Sequence, residues 1–139
     1  MKRSLSALLL VGCCTLAGCP VSEPAPPVER DVSFSSEVEP ILVEKCASCH
    51  SEGGFAVNVG IPLLLTDGVA YGELVNQPSS QDSTFTFVSP FDSANSLLYQ
   101  KVSEETPPVG STMPLFSERL SAEELGLIRD WIDQGAENN

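Results

Sequence analysis

The chain has 139 residues, one histidine, five cysteines and a formal net charge of −12 from 7 basic and 19 acidic side chains. That length fits one small domain beside any processing segment. The acidic balance provides no basic patch, which excludes nucleic acid as a partner; it suits solubility and attraction to basic partners, and equally a solvated, self-repelling surface.

Residues 1–18 read as a processing signal. Lys2 and Arg3 form the positive start, a short apolar run spans Leu5 to Leu16, and small residues follow. The run falls short of the roughly twenty apolar residues of a transmembrane helix. Leu16-Ala17-Gly18-Cys19 resembles the bacterial lipobox, in which the cysteine becomes the lipidated first residue of the mature protein. Leu10-Val11-Gly12-Cys13 fits the same pattern loosely but leaves a very short apolar core, and a plain secretory signal cut nearby is the competing reading. All three export the chain to the periplasmic side. Pro20 stands where an aspartate would be the usual inner-membrane retention signal in enteric bacteria, which points to the outer membrane. Without Lys2 and Arg3 the counts become 5 basic and 19 acidic, a formal charge of −14. Residues 19–31, rich in proline, read as a semi-rigid tether. At about 3.1 Å per residue it reaches on the order of 30 Å, enough to hold a domain of residues 32–139 clear of the lipid.

Within that domain, Val38, Ile41, Leu42 and the stem of Lys45 mark one side of a helix running into Cys46, with Pro40 tolerated in its first turn. The next five residues, Cys46-Ala47-Ser48-Cys49-His50, spell C-x-x-C-H, a site of c-type haem attachment. Each thiol can add across one haem vinyl group, and the histidine then lies under the porphyrin plane, where an imidazole nitrogen can bind iron. A zinc site would need further Cys or His ligands, and His50 is the only histidine. A thioredoxin-like C-x-x-C would sit in a βαβ context that the sequence lacks. With Cys13 and Cys14 in the signal, Cys19 acylated and Cys46 and Cys49 on haem, no thiol is left over.

Further along, Thr66 or Asp67 can cap a short helix carrying Val69, Ala70, Tyr71, Leu74 and Val75. Ser93 to Val102 has Leu97, Leu98 and Val102 at helical spacing, with Ser93 as cap. Thr84 to Val88 alternates like a short strand, as does part of Ala56 to Leu65. Ser121-Ala122-Glu123-Glu124 is a capping box; Leu125, Ile128, Trp131 and Ile132 follow as one apolar stripe, and Gly135 suits the stop. Trp131 reads as core by size alone. The second axial ligand follows by elimination. Haem iron takes a second histidine or a methionine, no second histidine exists, and Met1 belongs to the signal. Met113, before Pro114 in a loop-type stretch, remains; its competing role is gap-filler in a core.

With these residues in place, the chain resembles a class I-type monohaem cytochrome c domain of the kind found in bacterial exported proteins. The likeness rests on Cys46, Cys49, His50 and the Met113-Pro114 loop, and is supported by Phe34, Val38, Ile41, Leu42, Tyr71, Leu74, Leu97, Val102, Ile128 and Trp131. It implies an all-α cytochrome c fold with room for a short β insertion, first and last helices crossing beside one covalent haem c, and His50 and Met113 as proximal and distal iron ligands. It implies one-electron transfer with protein redox partners rather than enzymatic turnover. A haem-based small-ligand sensor and an electron-entry subunit of a larger redox complex are the alternatives. Lys101, Arg119 and Arg129 are among the few cations available to offset the propionates, and residues 76–92, long and polar-aromatic, are the part of the domain that the likeness does not cover.

Overall fold

The computed structural model describes residues 22–139. The signal segment, the lipobox with Cys19, and the first tether residues lie outside the described residues.

A π-helical turn, Phe34–Val38, leads into five helices: α1 Glu39–Lys45, α2 Phe55–Asn58, α3 Ala70–Leu74, α4 Leu97–Ser103 and α5 Ala122–Asp133. The Ser33 hydroxyl accepts from the Ser36 amide and so opens the first turn. Pro40 sits in the first turn of α1, where a missing N–H costs nothing. The Leu42 carbonyl accepts from both Cys46 N (2.9 Å) and Ala47 N (3.2 Å), so α1 ends on the C-x-x-C-H motif.

α5 is held by its capping box: Ser121 Oγ accepts from Glu124 N at 3.2 Å, and Glu124 Oε2 accepts from Ser121 N at 2.7 Å. Its stripe of Leu125, Ile128, Trp131 and Ile132 is buried. The Trp131 ring lies 5.1 Å from that of Phe34, and Tyr71 meets Phe34 edge-on at 5.2 Å. The first and last elements of the domain therefore share one core, closed by the Trp131 indole N–H donating to the Glu137 carbonyl at 2.9 Å.

Three local expectations change. Neither Thr66 nor Asp67 caps α3 with its side chain; the Thr66 carbonyl takes the Val69 and Ala70 amides instead, and the helix starts at Ala70. α4 begins four residues after Ser93, because Ser93 bonds Asp133 of α5 through both its amide and its hydroxyl (2.8 and 3.0 Å) and is unavailable as a cap. The alternating stretches form no strand among the described residues. Part of 56–65 is α2, and 84–88 contributes only isolated bridges, Val75 with Val88 and Pro78 with Thr86.

The stretch read as a spacer is docked from Ala25 onward. Ala25 N donates to the Ala122 carbonyl at 2.7 Å, and Val28 N to Asp130 Oδ2 at 2.8 Å. Gln134 brackets Arg30 and Val32 by donating to one carbonyl and accepting from the other amide. Ala25 lies so close to α5 that a methyl group at Gly126 would stand 3.3 Å from its Cβ. Proline-rich composition excludes a helix here; it does not exclude an extended strap whose free amides find partners.

Candidate functional site

A cleft opens between the end of α1 and the loop that follows α4. Its empty space, counting that open to solvent, is about 1010 Å³. Cys46, Cys49, His50 and Met113 all line it. Ile61, Leu63, Leu65, Phe87, Leu98 and Val102 supply apolar walls.

The thiol side is built by one tight loop. His50 N and Cys49 N both donate to the Cys46 carbonyl, at 2.9 and 3.1 Å, continuing the turn that ends α1. The chain then folds back so that Ala56 N donates to the Cys49 carbonyl at 3.0 Å. Only glycine fits at position 54, since a Cβ there would sit 2.4 Å from the Cys49 oxygen. Both thiols are free and half-buried. Burial, reinforced by neighbouring Cys49, pushes the Cys46 thiol up to about 12. A dithiol redox centre needs the opposite, a thiolate stabilised near neutral pH.

His50 is fixed from two directions. Its carbonyl accepts from Leu65 N at 2.8 Å, and its Nδ1 lies 3.2 Å from the Leu63 carbonyl. A carbonyl only accepts, so Nδ1 carries the proton and Nε2 keeps a free lone pair. Burial lowers the imidazole pKa, against the raising effect of the Leu63 bond, and the Lys101 charge lowers it further. The ring is thus neutral near pH 7, the form that binds a metal.

Met113 reaches the cleft from the other side. Its amide donates to the Lys101 carbonyl at 2.7 Å, tying the loop to the last turn of α4. Thr112, almost fully buried, donates its hydroxyl between the Glu104 and Glu105 carbonyls at 2.9 and 2.7 Å. The Met113–Pro114 peptide is cis. Met113 itself is half-buried, packing against the hydrophobic core while it lines the cleft.

These residues fit a haem. Two thiols three positions apart, a neutral imidazole and a thioether share one apolar-walled cleft, and its rim exposes large apolar side chains. Phe55 is 55% exposed, Val59 56% and Phe116 89%. Single exposed apolar residues are ordinary; three clustered on one cleft mark a surface that something covers. Among the described residues no group of three or more His, Cys, Asp or Glu side chains converges on a common point, the arrangement a zinc-type site would need.

The cations separate cleanly. Lys101 lines the cleft; Arg119 lines a different groove, beside Glu118 and Glu123; Arg129 pairs with Asp130 at 2.7 Å. Tyr71 is committed to the Ala136 carbonyl at 3.0 Å. Residues 76–92 turn out to build a cleft wall. Ser79 N donates to the Phe85 carbonyl at 2.8 Å and Phe87 N to the Gln77 carbonyl at 2.9 Å, and the excursion so closed places Gln81 and Phe87 on the cleft. Alternating Phe85 and Phe87 were visible in the sequence, but nothing there linked them to the motif some 35 residues earlier.

The chain is 30% identical to hydrazine synthase subunit alpha of Kuenenia stuttgartiensis over 126 residues, taking in 78% of this chain and 16% of that one. It thus spans about a sixth of the length of the curated relative it matches. No protein-family model and no solved structure matches the chain.

Proposed function

We propose that the domain is a c-type cytochrome of the cytochrome c fold, carrying one covalent haem and moving single electrons between protein partners. The observation that carries this reading is the gathering of Cys46, Cys49, His50 and Met113 on one apolar cleft. Haem supplies there an iron that cycles between ferrous and ferric states. Cys46 and Cys49 hold the macrocycle through thioether bonds. His50 would hold the iron through Nε2, its ring oriented by the Nδ1 bond to the Leu63 carbonyl. Met113 would supply a thioether sulfur to the iron, a ligand that favours the ferrous state and raises the potential. The apolar walls keep water from the iron. With His50 on the metal the chain has no second histidine for acid–base work, so the reading is a carrier rather than an enzyme.

A second reading, an electron-entry module of a larger redox assembly, draws support from the likeness to a subunit of hydrazine synthase. A sensor, in which Met113 yields to a small gas ligand, is separated from both by testing whether the reduced protein binds carbon monoxide at neutral pH. The reading places the protein on the periplasmic side, lipid-anchored through Cys19; among the described residues no helix is long and apolar enough to cross a membrane.

The first test is attachment. Denatured protein, expressed with haem-attachment machinery, should keep its haem through acid-solvent extraction and exceed the polypeptide mass by one haem. Extractable haem, or none, would sink the proposal.

A further inference from the structure

Lys101 and Gln81 stand together at the cleft for a reason that walls and iron ligands do not supply. Lys101 Nζ donates to the Ser111 carbonyl at 3.1 Å and has no carboxylate partner among the described residues. The other described cations are placed elsewhere or engaged. Arg30 pairs with Glu37, Arg129 with Asp130, and Arg119 lies in another groove. Lys45 reaches the cleft edge, but its ammonium is held by Glu44 and Glu124 at 3.2 and 3.3 Å.

Gly110 brings the two side chains together. A methyl group there would stand 2.9 Å from Lys101 Nζ and 3.6 Å from Gln81 Nε2, so both polar ends converge over one bare stretch of backbone. Gly110 also has φ +62°, a conformation suited to glycine. An ammonium half-buried against apolar walls with a single carbonyl partner is incompletely compensated, and it keeps N–H groups free to meet an anion. The amide of Gln81 adds a neutral donor beside it.

We propose that Lys101 and Gln81 form a carboxylate-binding corner of the cleft that receives one haem propionate, with Gly110 as the positioning residue that lets the ammonium lie there. This rests on the haem reading above. It also gives the 76–92 excursion a task, since that segment delivers Gln81. The site takes a propionate by an ammonium–carboxylate hydrogen bond, a charge-assisted contact stronger than a neutral one.

The test uses the full-length holoprotein with its haem attached. Lys101→Met should shift the propionate bending band in the resonance Raman spectrum and lower the reduction potential, because a positive charge near the iron favours the ferrous state. Lys101→Arg should restore most of both. Gly110→Ala, which keeps the charge but displaces it, should move the same band in the Lys101→Met direction, and Gln81→Ala should do so more weakly. A structural role alone would change stability without moving the Raman band. If Lys101→Met keeps acid-stable haem and leaves band and potential at wild-type values, the corner is refuted while the cytochrome reading stands. If wild-type protein carries no acid-stable haem, both fall. A Lys101→Met variant that loses an iron ligand field instead would put Lys101 on the metal and overturn the assignment to propionate.

Discussion

At the scale of single residues, backbone carbonyls hold the side chains of the cleft in place. The spacing of Cys46, Cys49 and His50 is what singled them out in the sequence, and all three line the cleft. Met113 is legible by elimination. What could not be read was which atoms hold them: the Leu63 carbonyl on His50, the Lys101 carbonyl on Met113, the Glu104 and Glu105 carbonyls on Thr112. These are backbone groups, and backbone partners leave no trace in residue identity. On the proposed haem reading, Met113→Ala should abolish a weak far-red sulfur-to-iron band in the ferric state, lower the potential and admit carbon monoxide to the reduced iron. Spectra and potential unchanged by the substitution would assign the sixth position to another group.

Among the elements, α5 was readable to its ends because residue type marks both, the Ser121–Glu124 box at the start and Gly135, at φ +118°, at the stop. α3 and α4 were readable in their apolar residues and not in their starts. Ser93 looks like a cap from its position, but the tertiary bond to Asp133 competes for the same hydroxyl, and long-range pairing is invisible to local reasoning. The strap over residues 25–32 was hidden for the same reason, its partners Ala122, Asp130 and Gln134 lying about a hundred residues away. Ser121→Ala should cost about 1 kcal/mol by removing one cap acceptor. Urea denaturation should show a lower midpoint at unchanged slope, and a loss within error of zero would mean that the Glu124 half of the box suffices.

On the scale of the whole molecule, the acidic excess is spread so that a few cations each serve a particular contact. Arg30 Nη1 donates to Glu37 Oε2 at 2.8 Å and clamps the strap to the turn before α1. The Arg30 hydrogen bond, with help from the Ser33 amide, holds the Glu37 carboxyl below its ordinary pKa against a small opposing effect of burial. A carboxyl with a lowered folded-state pKa stabilises the fold fully above the unfolded value of about 4.3 and loses that contribution as pH falls through the folded value. The stability gap between wild type and Glu37→Gln should therefore be constant from pH 7 to about 5 and vanish in stronger acid. The pair is exposed, so the gap is small and shrinks with salt. Urea midpoints measured across that pH range check this, and a gap that persists below pH 3 would show that packing rather than charge is responsible.

The meeting of the first and last elements also sets an order of events. α1 ends on Cys46, yet the core that seats it contains Trp131 and Ile132, and the Ser35 amide closes onto the Asn139 carbonyl at 2.9 Å. Contacts of that sequence separation close late, because the loop between must be gathered first. As the chain folds, the two thiols are therefore exposed before their cleft can exist. Once the cleft forms, the Cys46 thiol is buried and pushed up to about 12, which makes it a poor nucleophile. The fold thus leaves Cys46 and Cys49 open to reaction for an interval that closes when α5 docks, and the proposed thioether bonds would have to form within it.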